Sequence, residues 1–198
     1  MWMRCFLVAC LVFGSSYLSA LPQHVFIIRH GEKPPEGNGL NQQGWERAYA
    51  LAPFFLLDPF VTQFGSVKDN GALFAQKPGK SSTSSIRPIQ TITPLSHASG
   101  NPVQSPYRKD DVQSMANLVL NNSNYNGKVI VISWAHQAIA SLAAALGVVN
   151  PPAYPEDRFD LIYSLTYDAS GNVTFCVSLQ ELMFGDPSTL PVGFPSCP

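Results

Sequence analysis

The stretch His24-Val25-Phe26-Ile27-Ile28-Arg29-His30-Gly31 runs apolar without interruption and stops on a basic residue, a histidine and a glycine. A half-buried strand would place a polar residue at every second position. None stands between 25 and 28, so the stretch predicts a strand covered on both faces, its C-terminal end opening into a loop. A second run of the same kind, Lys128-Val129-Ile130-Val131-Ile132-Ser133, is followed by another histidine, His136. Strands buried on both faces call for helices above and below the sheet.

Outward from the first strand, Gly31, Pro34, Pro35, Gly37 and Gly39 mark a loop. Asn41 then reads as the N-cap of a helix. In that helix Trp45, Ala48, Tyr49, Ala52, Phe55 and Leu56 recur at helical spacing and predict one inward face; Pro53 is expected to kink or shorten it. Ala72-Leu73-Phe74-Ala75 predicts a short strand, 81–85 a Ser-rich turn, and 86–93 the start of a second helix. The Pro-, Ser- and Asn-rich span 94–106 reads as a surface loop. Further helices are expected from Asp110 to about Leu120 and from His136 to a C-cap at Gly147. Alternating patterns at 161–167 and 172–179 around Asp168-Ala169-Ser170-Gly171 predict a hairpin. The sum is a three-layer α/β/α sandwich with a mainly parallel central sheet and an antiparallel edge hairpin, formed by one domain over 21–198.

A chain of 198 residues with 45% hydrophobic content is large enough for one sizeable core. Its net charge is −1 and its basic residues are scattered, which excludes a nucleic-acid or anionic-membrane partner on electrostatic grounds. Residues 1–20 carry Arg4, an apolar run from Cys5 to Leu18, and a small residue at Ala20. That pattern is short for a membrane span and reads as a secretory signal peptide cleaved near Ala20. The mature chain is therefore expected to be secreted or periplasmic and free of the membrane. It retains Cys176 and Cys197, which in an oxidising compartment either pair, tying the Pro-rich tail to the last strand, or stay as thiols.

In an open α/β sheet, ligands bind at the carboxyl ends of the strands. His30 and His136, each at the end of an apolar strand, are thus expected to face one crevice. A neutral imidazole is a good nucleophile near pH 7, and a phosphoryl group on its nitrogen is labile to water. Phosphoryl transfer also needs positive charge on the equatorial oxygens, which Arg29 and Arg87 can supply as bidentate donors. The histidines show no close pairing of the kind that fixes a metal, and neither metal nor cofactor is expected. His24 and His97 fit no role beyond core or surface.

Ile28-Arg29-His30-Gly31-Glu32 resembles the Arg-His-Gly signature of the histidine phosphatase superfamily, which includes phosphoglycerate mutases and acid phosphatases. Leu40-Asn41-Gln42-Gln43-Gly44-Trp45-Glu46-Arg47-Ala48 resembles the helix that follows it in that family. Thr83-Ser84-Ser85-Ile86-Arg87, with Thr91 beyond, resembles the segment that donates a second phosphate-binding arginine. His136 stands where the family has its second catalytic histidine. The four segments follow in order over 25–146 and together are fairly specific, placing the chain among small phosphoglycerate mutase-like members. The resemblance implies that His30 is the phosphorylated nucleophile and that Arg29, Arg87 and His136 grip the phosphoryl group of a small phosphorylated substrate. The activity implied is that of a metal-independent phosphoric monoester hydrolase.

There are departures. Ser133-Trp134-Ala135-His136-Gln137 lacks the glycine that often precedes the second histidine and the aspartate that follows it in acid phosphatases. The family's proton donor commonly lies between the second arginine and the second histidine, yet no glutamate occurs between Glu46 and Glu156. Asp110, Asp111 and Glu32 remain as candidate acids. Asp110 also reads as a helix N-cap with Gln113 completing a capping box, and Glu32 as a partner for Arg29 or Lys33. Without an acid, the expected substrates carry leaving groups that need little protonation, such as phosphohistidine, acyl or aryl phosphates. The resemblance to relatives without capping insertions implies an open pocket of modest specificity. Two rival functions follow: a mutase, which export disfavours, and a non-catalytic phospho-ligand binding protein with a degenerate site.

Overall fold

The computed structural model describes residues 21–198; the expected signal segment at 1–20 lies outside them. The chain runs β1 (His24–Arg29), α1 (Gln42–Leu57), α2 (Pro59–Thr62), α3 (Val67–Asn70), β2 (Gly71–Ala75), α4 (Arg87–Ser99) and β3 (Val103–Gln104). It continues through α5 (Val112–Asn121), β4 (Val129–Trp134), α6 (His136–Ala145), β5 (Leu161–Tyr167) and β6 (Val173–Leu179). The six strands form one sheet in the order β3-β2-β4-β1-β5-β6. The first four are parallel, and β5 and β6 run antiparallel at the edge.

Both faces of the sheet are covered, which is why its central strands carry no polar alternation. Phe26, Ile28, Leu73, Val129 and Val131 point to one side, where Leu51 and Phe55 of α1 and Ile92 and Leu95 of α4 pack on them. Val25, Ile27, Phe74, Ile130 and Ile132 point to the other, under Met115 and Val119 of α5 and Ile139 and Leu142 of α6. The architecture is a three-layer α/β/α sandwich. The connection from β1 through α1 to β2 passes over β4, so the C-terminal ends of β1, β4 and β2 lie side by side on one edge.

His24 belongs to the core. It is fully buried, with Nε2 2.8 Å from the Ser164 hydroxyl and Nδ1 2.9 Å from that of Thr166. Burial pushes its pKa down to about 3, so the ring is a neutral packing element.

Several local expectations are corrected. Pro53 does not shorten α1, which runs past it to Leu57, and its side chain is exposed. Pro94 likewise lies inside α4, which runs on to Ser99 with Pro94 and Leu95 buried, and β3 follows as an edge strand. The span read as a loop from 94 is thus half structured, because packing against the core outweighs a local breaker. The inward face of α1 is Gly44, Arg47, Ala48, Leu51, Ala52 and Phe55, while Tyr49 is 66% exposed. The buried Arg47 turns the stripe away from the one that apolar spacing predicts. Asn41 does cap α1, its Oδ1 accepting from the Gly44 N–H at 2.8 Å. Asp110 caps nothing: α5 begins at Val112, Asp111 holds the cap position, and its carboxylate accepts from the Arg108 N–H instead.

The choice left open for the two cysteines is settled by a Cys176–Cys197 disulfide. The tail beside it hydrogen bonds to β6, with the Val177 N–H donating to the Pro195 carbonyl at 2.7 Å and the Cys197 N–H to the Val177 carbonyl at 3.2 Å.

Candidate active site

Arg29 and Trp134 are register partners at the ends of β1 and β4, and the His30 N–H donates to the Trp134 carbonyl at 3.1 Å. The two strands therefore release His30 and His136 from the same point of the sheet. The Gly31 N–H donates to the Thr91 hydroxyl at 2.8 Å, and that hydroxyl donates to the Arg87 carbonyl at 2.8 Å. One side chain thus couples the loop after His30 to the first turn of α4, where Arg87 begins. Glycine is required on both sides of the contact between this loop and α1. A Cβ on Gly31 would sit 2.9 Å from the Gly44 carbonyl oxygen, and one on Gly44 would collide with the Glu32 backbone.

His30 is buried, and its Nδ1 lies 2.8 Å from the Gly31 carbonyl oxygen. A carbonyl only accepts, so Nδ1 carries the proton and Nε2 presents its lone pair. Burial is the main cause that brings the ring pKa down to about 4; the bond to Gly31 opposes it, and the charges of Arg29, Arg87 and His136 add to it. At neutral pH the ring is uncharged and its tautomer is defined.

Arg29 is 1% exposed. Its Nη1 donates to the Glu156 carbonyl at 2.5 Å and to the Arg158 carbonyl at 2.6 Å, and its guanidinium lies 3.7 Å over the Phe159 ring. Its Nε has no partner among the described residues. Arg87 donates from Nε to the Gly39 carbonyl at 2.9 Å and from Nη2 to the Gly37 carbonyl, so it also fixes the loop ahead of α1. His136 opens α6, and its buried Nδ1 likewise has no partner among the described residues. Its pKa is lowered first by burial and then by Arg29, Lys33 and Lys109, against an opposing effect of Glu156. The N-terminus of α6 adds positive partial charge on the same side.

Arg29, His30, Arg87 and His136 accordingly gather on one edge of the sheet, with two unpaired nitrogens among them. Unpaired buried polar atoms each cost about 1–3 kcal/mol, and a tetrahedral anion is a ligand that would pair with both. Glu32 acts on Arg29 only through its charge. Arg47 takes both its oxygens at 2.6–3.1 Å, and Arg47 in turn bonds Asp186 at 2.7 and 3.0 Å and Gln180 at 3.0 Å. The partner of Glu32 is thus Arg47, in place of the expected Arg29 or Lys33. Asp110 is exposed and lies 3.7 Å from Lys109.

Sequence reasoning missed Phe159 and Glu156. The segment 155–159 reaches the site because β5 is antiparallel to β1, which puts the start of β5 where β1 ends. The sequence signal was the Glu156-Asp157-Arg158 cluster immediately ahead of a strand.

No protein-family model matches the sequence, and no curated protein matches it. Solved structures do match. Phosphoglycerate mutase from Bacillus anthracis str. Sterne is similar with a TM-score of 0.51 at 11% identity, over 83% of this chain and 96% of that one. The chain has the phosphoglycerate mutase fold. The protein histidine phosphatase SixA complexed with tungstate is similar with a TM-score of 0.49 at 18% identity, over 79% of this chain and 97% of that one. Phosphoglycerate mutase from Plasmodium falciparum is similar with a TM-score of 0.48 at 12% identity, over 88% of this chain and 97% of that one. In this phosphoglycerate mutase fold, the cluster of Arg29, His30, Arg87 and His136 occupies the carboxyl edge of the parallel strands, the position where an open α/β sheet binds its ligands.

Proposed function

We propose that this protein is an exported phosphatase that hydrolyses phosphomonoesters or related phosphoryl compounds through a phosphohistidine on His30, with no metal. The observation that carries the reading is the state of His30: neutral, with Nδ1–H held by Gly31 and Nε2 free, next to unpaired nitrogens of Arg29 and His136.

In the first step Nε2 attacks phosphorus as the bond to the leaving oxygen breaks. Arg29, Arg87 and His136 carry the charge on the equatorial oxygens. Water then attacks the phosphohistidine, the P–N bond breaks, and its electron pair returns to Nε2. Export is supported by the pattern of 1–20 and by the disulfide, a bond that persists in oxidising compartments. The intact mass of the recovered protein is the check: it should begin at Leu21 and lack two thiol hydrogens.

Activity is tested with nitrophenyl phosphate in the presence of chelator. Wild type should turn over, and His30→Ala should lose roughly a thousandfold or more, since residues that act as a unit fail together. Equal rates in the two proteins remove His30 from the mechanism. Tungstate binding without turnover of any ester would favour the phospho-ligand binding protein instead.

A further inference from the structure

Several of the carboxylates are spent on structure. Among the described residues, Glu32 and Asp186 are both bound to Arg47, Asp160 accepts two bonds of 2.6 Å from Arg158, and Asp110 pairs with Lys109 in solvent. Glu156 differs from all of these. Its side chain is exposed and makes no hydrogen bond or ion pair among the described residues, yet its backbone is fixed. Arg29 Nη1 holds the carbonyl of Glu156 on one side and that of Arg158 on the other, while Phe159 stacks on the same guanidinium with its ring 6.3 Å from that of His30. Arg29 thus pins 156–159 beside His30. The charge of Glu156 works to raise the pKa of both Arg29 and His136.

Resting on the phosphatase reading above, we infer that Glu156 is the catalytic acid that protonates the leaving oxygen. As His30 Nε2 bonds to phosphorus and the ester P–O bond breaks, the proton of the Glu156 carboxyl moves to the departing oxygen, and the alcohol leaves. In the second step the Glu156 carboxylate takes a proton from the attacking water as the P–N bond breaks. The products are inorganic phosphate, neutral His30 and a reprotonated Glu156. The substrate class widens accordingly: alkyl phosphates, whose leaving groups need a proton, join aryl and acyl phosphates.

The test compares wild type, Glu156→Gln and Asp157→Asn on nitrophenyl phosphate and on glycerol phosphate. Glu156→Gln is isosteric and keeps the carbonyl that Arg29 binds, so the fold is retained. It should lose roughly a hundredfold in kcat/KM on glycerol phosphate and less than about threefold on nitrophenyl phosphate, because general acid help matters only for the poor leaving group. Glu156→Asp should restore part of the loss, and Asp157→Asn should match wild type on both. An equal fall on the two esters, or none on glycerol phosphate, overturns the acid role. Wild-type turnover of nitrophenyl phosphate without glycerol phosphate also overturns it and leaves the phosphatase reading standing. A wild type inert on both overturns the two together.

Discussion

Arg47 is where one substitution should do most to separate stability from chemistry. Its side chain is 2% exposed, and those of Glu32 and Asp186 are 11% and 9% exposed. Replacing Arg47 by Met keeps the volume of its stem and strands two carboxylates with no cation. At an effective dielectric of about 20, a pair separated by 2.6 Å is worth on the order of 6 kcal/mol before desolvation. Breaking a buried pair from one side costs about 3–5 kcal/mol after it. Arg47→Met should therefore lose about 3–5 kcal/mol at pH 7, a large share of the roughly 5–15 kcal/mol that holds a domain together. The measurement is urea unfolding across pH. In wild type, burial works against ionisation of Asp186, but the Arg47 bond and the Met183 and Leu182 amides outweigh it and hold its carboxyl below the usual range. That stability is present above the unfolded pKa and is lost as pH falls through the folded one. In Arg47→Met the sign reverses, since acid neutralises the stranded pair. The gap between the two proteins should be widest at pH 7 and narrow toward pH 4, and adding Glu32→Gln and Asp186→Asn should recover most of it. A loss under about 1 kcal/mol at pH 7, the range of a surface pair, or a gap that widens in acid, would refute the reasoning.

Two further outcomes are expected. Because His30 stays neutral down to about pH 4, kcat/KM on nitrophenyl phosphate, corrected for the ester's own ionisation, should hold level below pH 6 and fall only as pH drops through about 4; a fall centred at the ordinary histidine value near 6.5 would contradict the buried, Gly31-bonded ring. Opening Cys176–Cys197, which spans 21 residues, should cost about 3 kcal/mol on the chain-entropy account, read as a lower urea midpoint for the double serine variant. An unchanged midpoint would show that the hydrogen bonds of the tail suffice without the bond.

What was legible in the sequence were features written into contiguous residues. Runs such as 25–28 and 129–132 are apolar at every position because both faces are covered, and that alone separates a parallel layered sheet from an alternating one. Pro53 and Pro94 misled because a proline rule is local, while α1 and α4 are held by the core beneath them. Arg47 is missing from the inward face that apolar spacing predicts because the carboxylate that holds it there, Asp186, lies 139 residues away. Glu156, the acid proposed above, lies beyond His136 in sequence, and only the antiparallel pairing of β5 with β1 returns its segment to the end of β1.

The least legible feature is which nitrogen of His30 is free, although the proposed chemistry depends on it. That choice is made by the backbone turn that brings the Gly31 carbonyl to Nδ1, a turn allowed because neither Gly31 nor Gly44 carries a Cβ. In the proposed reaction the charges around the ring serve two stages. Before a substrate binds, burial together with Arg29, Arg87 and His136 keeps protons off Nε2. A bound phosphate dianion offsets those same charges, so the field that suppressed the basicity of the ring weakens just when its lone pair has to attack. Arginines placed this close to a nucleophilic histidine would be costly for a site that only bound cations or neutral ligands, and they suit one that meets its imidazole with an anion.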